Sequence, residues 1–120
     1  MPRDISRDII VGVIFLSSNS TPMSEAMYYI LLSLIRPNHG YQVMAAVREV
    51  SGGRLNIGPG TLYGVLTRML GDKLIEIMED DGRRKVYAIT KSGRAALIAE
   101  YGRIQAMARD GQLLEEDMNG

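Results

Sequence analysis

The sequence has no cysteine, no tryptophan and a single histidine, His39. Disulfides, thiolate metal sites and a cysteine nucleophile are therefore excluded. One histidine does not make a multi-histidine centre, and no metal or cofactor is expected. A thiol-free chain accords with a reducing cytoplasm, the expected location. An excess of one charge is also missing, since 14 basic residues balance 14 acidic ones. Net charge thus gives no argument for nucleic acid. Long apolar runs are missing too. The longest, Ile9–Leu16, contains a glycine and falls well short of the roughly 20 residues that span a bilayer. No membrane partner is expected. Arg3 and Arg7 precede that run, as in a secretory signal, but Asp4 and Asp8 neutralise them. Ser17–Pro22 offers no small-x-small cleavage pattern.

What remains is 120 residues, 46% hydrophobic and 23% charged. That suits one domain with a modest core. Eight methionines favour adaptable packing. Residues 1–22 read as an N-terminal extension, frayed or a translated leader ahead of Met23, because termini order poorly unless tied down. Met27, Ile30, Leu31, Leu34 and Ile35 then form the stripe of a first helix. Ser24 or Thr21 can cap it, and Pro37-Asn38 ends it. A second helix spans about His39 or Gly40 to Val50. Val43, Val47 and Val50 share its inner face, and Ser51-Gly52-Gly53 stops it. His39 is expected to cap or pack at its start. The third helix begins at Pro59, where a missing N–H costs nothing. It carries Leu62, Val65, Leu66, Met69 and Leu70 inward and closes at Gly71-Asp72. Its outer face holds Gly60, Thr61, Gly64, Thr67 and Arg68, with Tyr63 on the flank.

A β-hairpin follows. Ile75 and Ile77 alternate with polar neighbours, Val86–Thr90 is rich in β-formers, and Asp80-Asp81-Gly82-Arg83 supplies the turn. From about Lys91 a last helix carries a seam of Leu97, Tyr101, Ile104 and Ala108. Gly93 and Gly102 should each weaken it by about 1 kcal/mol relative to alanine. Glu115-Glu116-Asp117 reads as a solvated acidic tail.

Three helices and a hairpin describe a mainly α fold with a small β-hairpin: a winged helix-turn-helix over residues 23–90, then a C-terminal dimerisation helix and tail over 91–120. The first two helices would bury the inner face of the third and leave its outer face to enter the major groove. Arg83, Arg84 and Lys85 are consecutive at the hairpin tip. Residues 83–94 carry five basic groups and no acid, so the neutral total hides a local patch suited to phosphates. Thr61 and Thr67 can bond phosphates or base edges, Tyr63 can reach a phosphate, and Arg68 is the helix's one full charge. The competing reading of the hairpin is a solvated element whose charges pair across its strands.

His39-Gly40-Tyr41, Ile57-Gly58-Pro59-Gly60-Thr61-Leu62-Tyr63, Leu74-Ile75-Glu76, Arg84-Lys85-Val86-Tyr87 and Ile89-Thr90-Lys91-Ser92-Gly93-Arg94 occur in that order. Together they resemble the PadR family of bacterial transcriptional regulators, over about residues 23–110. The resemblance implies a homodimer formed through the C-terminal helix and repression at pseudo-palindromic double-stranded operators. It places Tyr41, Pro59, Gly60, Thr61 and Tyr63 near DNA and Arg83, Arg84 and Lys85 at phosphates. Some members of the family release DNA on binding phenolic acids or planar drugs, so a small aromatic effector is expected on that ground alone. Small drug-binding members stack planar ligands on tryptophan, which this chain lacks. Tyr101, Met107 and Phe15 are expected as core or dimer contacts.

The alternative function is a winged-helix protein–protein interaction module without DNA binding, because fold alone does not fix function. An enzyme is not expected. The chain offers no acid–base pair, no Cys/His system and no G-x-x-x-x-G-K-[ST] loop.

Overall fold

The computed structural model describes residues 22–120. The extension over residues 1–22, and Phe15 with it, lies outside the described residues except for Pro22. The elements run α1 (Glu25–Ser33), β1 (Asn38–His39), α2 (Gly40–Val50), α3 (Pro59–Gly71), β2 (Ile75–Asp80), β3 (Lys85–Ile89), α4 (Lys91–Asp110) and α5 (Gln112–Asn119). One core joins them. Ile30, Leu31 and Leu34 meet Val43 and Val47 of α2, Leu62, Leu66 and Met69 of α3, and Ile75, Tyr87 and Leu97 from β2, β3 and α4.

Local chemistry explains the helix starts. Ser24 caps α1, its hydroxyl accepting from the Met27 N–H at 3.1 Å. Gly58 is the N-cap of α3, and Pro59 takes its first turn. Thr90 caps α4 by accepting from the Gly93 N–H at 3.0 Å, while its hydroxyl donates to the Lys73 carbonyl at 2.7 Å. α3 ends in a paired closure. The Leu74 N–H reaches the Met69 carbonyl and the Lys73 N–H reaches that of Leu70. The left-handed residue of this motif is Lys73, at φ 60°, a place usually held by glycine.

Several expectations need correction. α1 ends at Ser33, before Pro37. Leu34 and Ile35 continue as a tightened turn, their N–H groups bonding Leu31 and Leu32. Leu34 stays in the core, but Ile35 is exposed. Val50 is exposed as well, because no neighbouring element covers the last residue of α2. The sheet has three strands rather than two, in the order β1-β3-β2 and antiparallel throughout. Asn38 and His39 pair with Tyr87 and Val86. Two residues are too few to show a strand period, so β1 was not legible. β2 carries an irregularity between Ile77 and Glu79.

Gly93 reverses its expected sign. A Cβ there would collide with the Leu74 carbonyl oxygen and lie 2.9 Å from Ile89 Cγ1. The glycine lets α4 start directly on the β2 entry, so it permits the packing. α4 then runs for 20 residues into α5. No helix among the described residues is long and apolar enough to cross a membrane.

Candidate nucleic-acid interface

The inner face of α3 buries Leu62, Leu66 and Met69 almost completely. That burial turns Pro59, Gly60, Thr61, Tyr63, Gly64, Thr67 and Arg68 outward, and all are exposed. The outer surface is small and polar over most of its length. Thr67 donates its hydroxyl proton to the Tyr63 carbonyl at 2.8 Å, which leaves its oxygen lone pairs free to accept. Arg68 faces Asp72 at 3.9 Å, with both side chains largely exposed, a pairing too loose to hold the guanidinium in place.

The wing tip is organised by two acids. The Asp80 carboxylate accepts from the Gly82 N–H at 2.9 Å, and the Asp81 carboxylate accepts from the N–H groups of Arg83 (3.0 Å) and Arg84 (2.7 Å). Those backbone bonds, Arg84's first, hold the Asp81 carboxyl below the ordinary carboxylate range. Gly82 turns the chain at φ 86°. The acids therefore serve the backbone. Among the described residues no ion pair joins Glu76, Glu79, Asp80 or Asp81 to Arg83, Arg84 or Lys85. The expected alternative, charges pairing across the hairpin, is not what the strands do.

The wing and α3 converge. A cleft of about 350 Å³ lies between them and the start of α2. It brings together six residues expected at DNA: Tyr41, Tyr63, Thr67, Arg83, Arg84 and Lys85. Pro59, Gly60, Thr61 and Arg68 are outside the cleft, on the open face of α3. Sequence reasoning gave no binding role to His39, Leu70 or Tyr87, which also line it. His39 occupies the N-cap position of α2 without a side-chain capping bond, and its Nδ1 is buried without a partner among the described residues. It packs rather than caps. Burial pushes the Tyr87 phenol up, and Tyr63 and Asp80 nearby add to the shift, so it remains a neutral donor near pH 7. The β1–β3 pairing sets His39 beside Val86 and Asn38 beside Tyr87, and no sequence signal announced it.

The residues expected at a dimer seam divide. Leu97 is 6% exposed and belongs to the chain's own core. Tyr101 is 53% exposed, Ile104 is half-buried and Ala108 is exposed. Met107, Leu113, Leu114 and Met118 add exposed apolar surface along the same C-terminal stretch.

Comparison with known proteins places this geometry. Residues 30–99, more than half of the chain, match the family model for the transcriptional regulator PadR-like family. An uncharacterised 37.1 kDa protein in transposon TN4556 of Streptomyces fradiae is 38% identical over 94 residues, covering 77% of this chain and 26% of that protein. The transcriptional regulator Rv3488 of Mycobacterium tuberculosis is 39% identical over 66 residues, covering 52% of this chain and 62% of that protein. The chain thus spans about a quarter of the length of the first relative and under two thirds of the second. A PadR family transcriptional regulator from Eggerthella lenta shares the fold at a TM-score of 0.61 and 22% identity, covering 92% of this chain and 93% of that one. On the family match, which spans α2, α3, the wing and the first half of α4, the chain belongs to the PadR-like family of transcriptional regulators, a family of regulators and not of enzymes.

Proposed function

We propose that the chain is a cytoplasmic, homodimeric, sequence-specific DNA-binding regulator that represses transcription at a pseudo-palindromic operator and is released by a small-molecule effector. One observation carries the DNA reading. The small, polar outer face of α3 and three wing cations that have no carboxylate ion pair among the described residues border the same cleft. An α-helix fits the major groove, and a flanking cationic tip meets the adjacent phosphates. Two copies would set their third helices about 34–36 Å apart, one helical turn of B-DNA. The exposed apolar residues of α4 and α5 support the dimer, since a stripe of this kind on a small domain calls for cover.

The experiment is selection of bound fragments from the source genome, the protein's own upstream region included, followed by a salt titration of the winner. A two-fold site whose affinity falls steeply with salt is expected. Arg84→Ala should weaken binding to every sequence and reduce the salt slope by about 1, the signature of one lost phosphate contact. Thr67→Ala or Arg68→Ala should alter sequence preference. A well-folded dimer that selects no DNA, or an unchanged salt slope in Arg84→Ala, would overturn the DNA reading in favour of a protein partner.

A further inference from the structure

We propose that the cleft between α2, α3 and the wing binds a free nucleoside phosphate. The cleft's chemistry divides in two. One side presents the rings of Tyr41 and Tyr63, which are 63% and 46% exposed and therefore available to a planar group. The other side presents Arg83, Arg84 and Lys85. Among the described residues no carboxylate lines the cleft. At the wing tip the Asp80 carboxylate is engaged by the Gly82 N–H and that of Asp81 by the Arg83 and Arg84 N–H groups. Three cations without a lining acid suit a group bearing more than one negative charge, which favours phosphate over a single carboxylate. Aromatic faces beside a cationic groove are the combination that recognises a base joined to its phosphate.

Polar groups for the base edge are also present. The Thr67 oxygen retains acceptor capacity after donating to the Tyr63 carbonyl, so it can receive an exocyclic amine. The volume, about 350 Å³, lies at the lower end of small-molecule sites and suits one nucleotide. Occupancy would exclude DNA, a consequence that rests on the DNA-binding reading above; the binding itself does not.

The test is a set of NMR titrations of the full chain, without DNA, using adenosine 5′-monophosphate, adenosine and inorganic phosphate in parallel. The monophosphate should shift the Tyr41, Tyr63, Thr67 and Arg84 amides saturably. Adenosine or phosphate alone should need at least about tenfold higher concentration, the loss of one half of the recognition. Tyr41→Ala, at an exposed position that should leave the fold intact, should weaken the monophosphate about tenfold and leave phosphate unchanged. Arg84→Ala should weaken both. Equal binding of phosphate and the monophosphate, an unaffected Tyr41→Ala, or no saturable shift would each overturn the site. A second arm adds the monophosphate to a preformed complex with the selected DNA. Competitive displacement is expected. Binding of the monophosphate with undisturbed DNA would overturn the exclusion, whereas failure to select any DNA would count against the DNA reading and leave the titrations to judge the cleft.

Discussion

Between Lys91 and Glu100, α4 buries Gly93, Leu97, Ala99 and Glu100; from Tyr101 to Asp110 no residue is fully buried, and none is in α5. The backbone is continuous and the apolar spacing of the seam runs across the divide, yet among the described residues only the first half has fully buried positions. Periodicity reports that a stripe exists, not what covers it. Leu97 faces the domain core, whereas Tyr101 and Ala108, on the same seam, face outward. The boundary falls at Glu100, which is 5% exposed. Its carboxylate accepts from the Met23 N–H at 3.2 Å and from Arg103 Nε at 2.8 Å, with a second bond from the same guanidinium. The Met23 bond ties the segment ahead of α1 to the middle of α4, and Arg103 holds the carboxylate in place for it.

The largest effect should come from Gly93→Ala. Alanine improves helix propensity by about 1 kcal/mol, but its methyl would meet the Leu74 carbonyl, a backbone group already engaged by the Thr90 N–H at 3.0 Å. Overpacking against backbone should win, for a net loss of about 3 kcal/mol or more in chemical denaturation. A neutral result would mean that the first half of α4 is not locked to the sheet, and the contrast between the halves would fail. Leu97→Ala should follow, at about 2–3 kcal/mol, since the site is slightly open to solvent and can partly collapse. Leu113→Ala, at an exposed residue beyond the divide, should change the stability of the dilute protein by less than about 0.5 kcal/mol.

Glu100→Gln probes the boundary itself. The Arg103 hydrogen bonds hold the Glu100 carboxyl below its ordinary value against the opposing effect of burial, with Arg103's charge and the Met23 N–H adding to the lowering. A depressed folded pKa means that the stabilisation is fully present above the unfolded value, about 4.3, and is lost as pH falls through the folded value. The variant should lose about 1–2 kcal/mol at pH 7, as expected for bonds to a charged group. The gap to the parent protein should close in acid, as pH falls past the unfolded value and through the lower folded one. A gap that persists unchanged there would assign the cost to packing rather than charge.

Much of this architecture was legible beforehand, for identifiable reasons. Helices announced themselves through apolar stripes and caps, with Pro59 at the start of α3 and Ser24 at that of α1, whereas the Thr90 cap of α4 was hidden in a run read as strand. The hairpin turn was readable from Asp80-Asp81-Gly82. Contacts between elements distant in sequence were not legible. Nothing local reveals that Gly93 lies on the Leu74 carbonyl, that Glu100 receives the Met23 N–H, or that Asn38-His39 adds a strand to β3. The cleft illustrates the same limit. Its cations and Tyr63 were individually visible, but its shape depends on β1, the shortest element of the fold. Exposure of the α3 face followed from the helix period. The engagement of Asp80 and Asp81 with the wing backbone, and the absence of an ion pair to Arg83, Arg84 or Lys85 among the described residues, required side-chain geometry.

Ala108→Glu should have the smallest effect on the folded chain and the most selective one on assembly. Ala108 is exposed on the distal seam, and glutamate is nearly as good a helix former as alanine. The stability of the isolated chain should therefore change by less than about 0.5 kcal/mol. In the proposed homodimer the same position would be covered, so the substitution would force two carboxylates out of water without cationic partners. Sedimentation should show dimer dissociation at a concentration at least about tenfold higher than for the parent protein. The thermal midpoint of the variant should lose the concentration dependence that dimerisation confers on the parent. A variant that dimerises as tightly as the parent would remove Ala108 from the interface. The cover for the second half of α4 would then have to meet the helix on another face, with Met107 and Leu114, both exposed, as the next positions to charge.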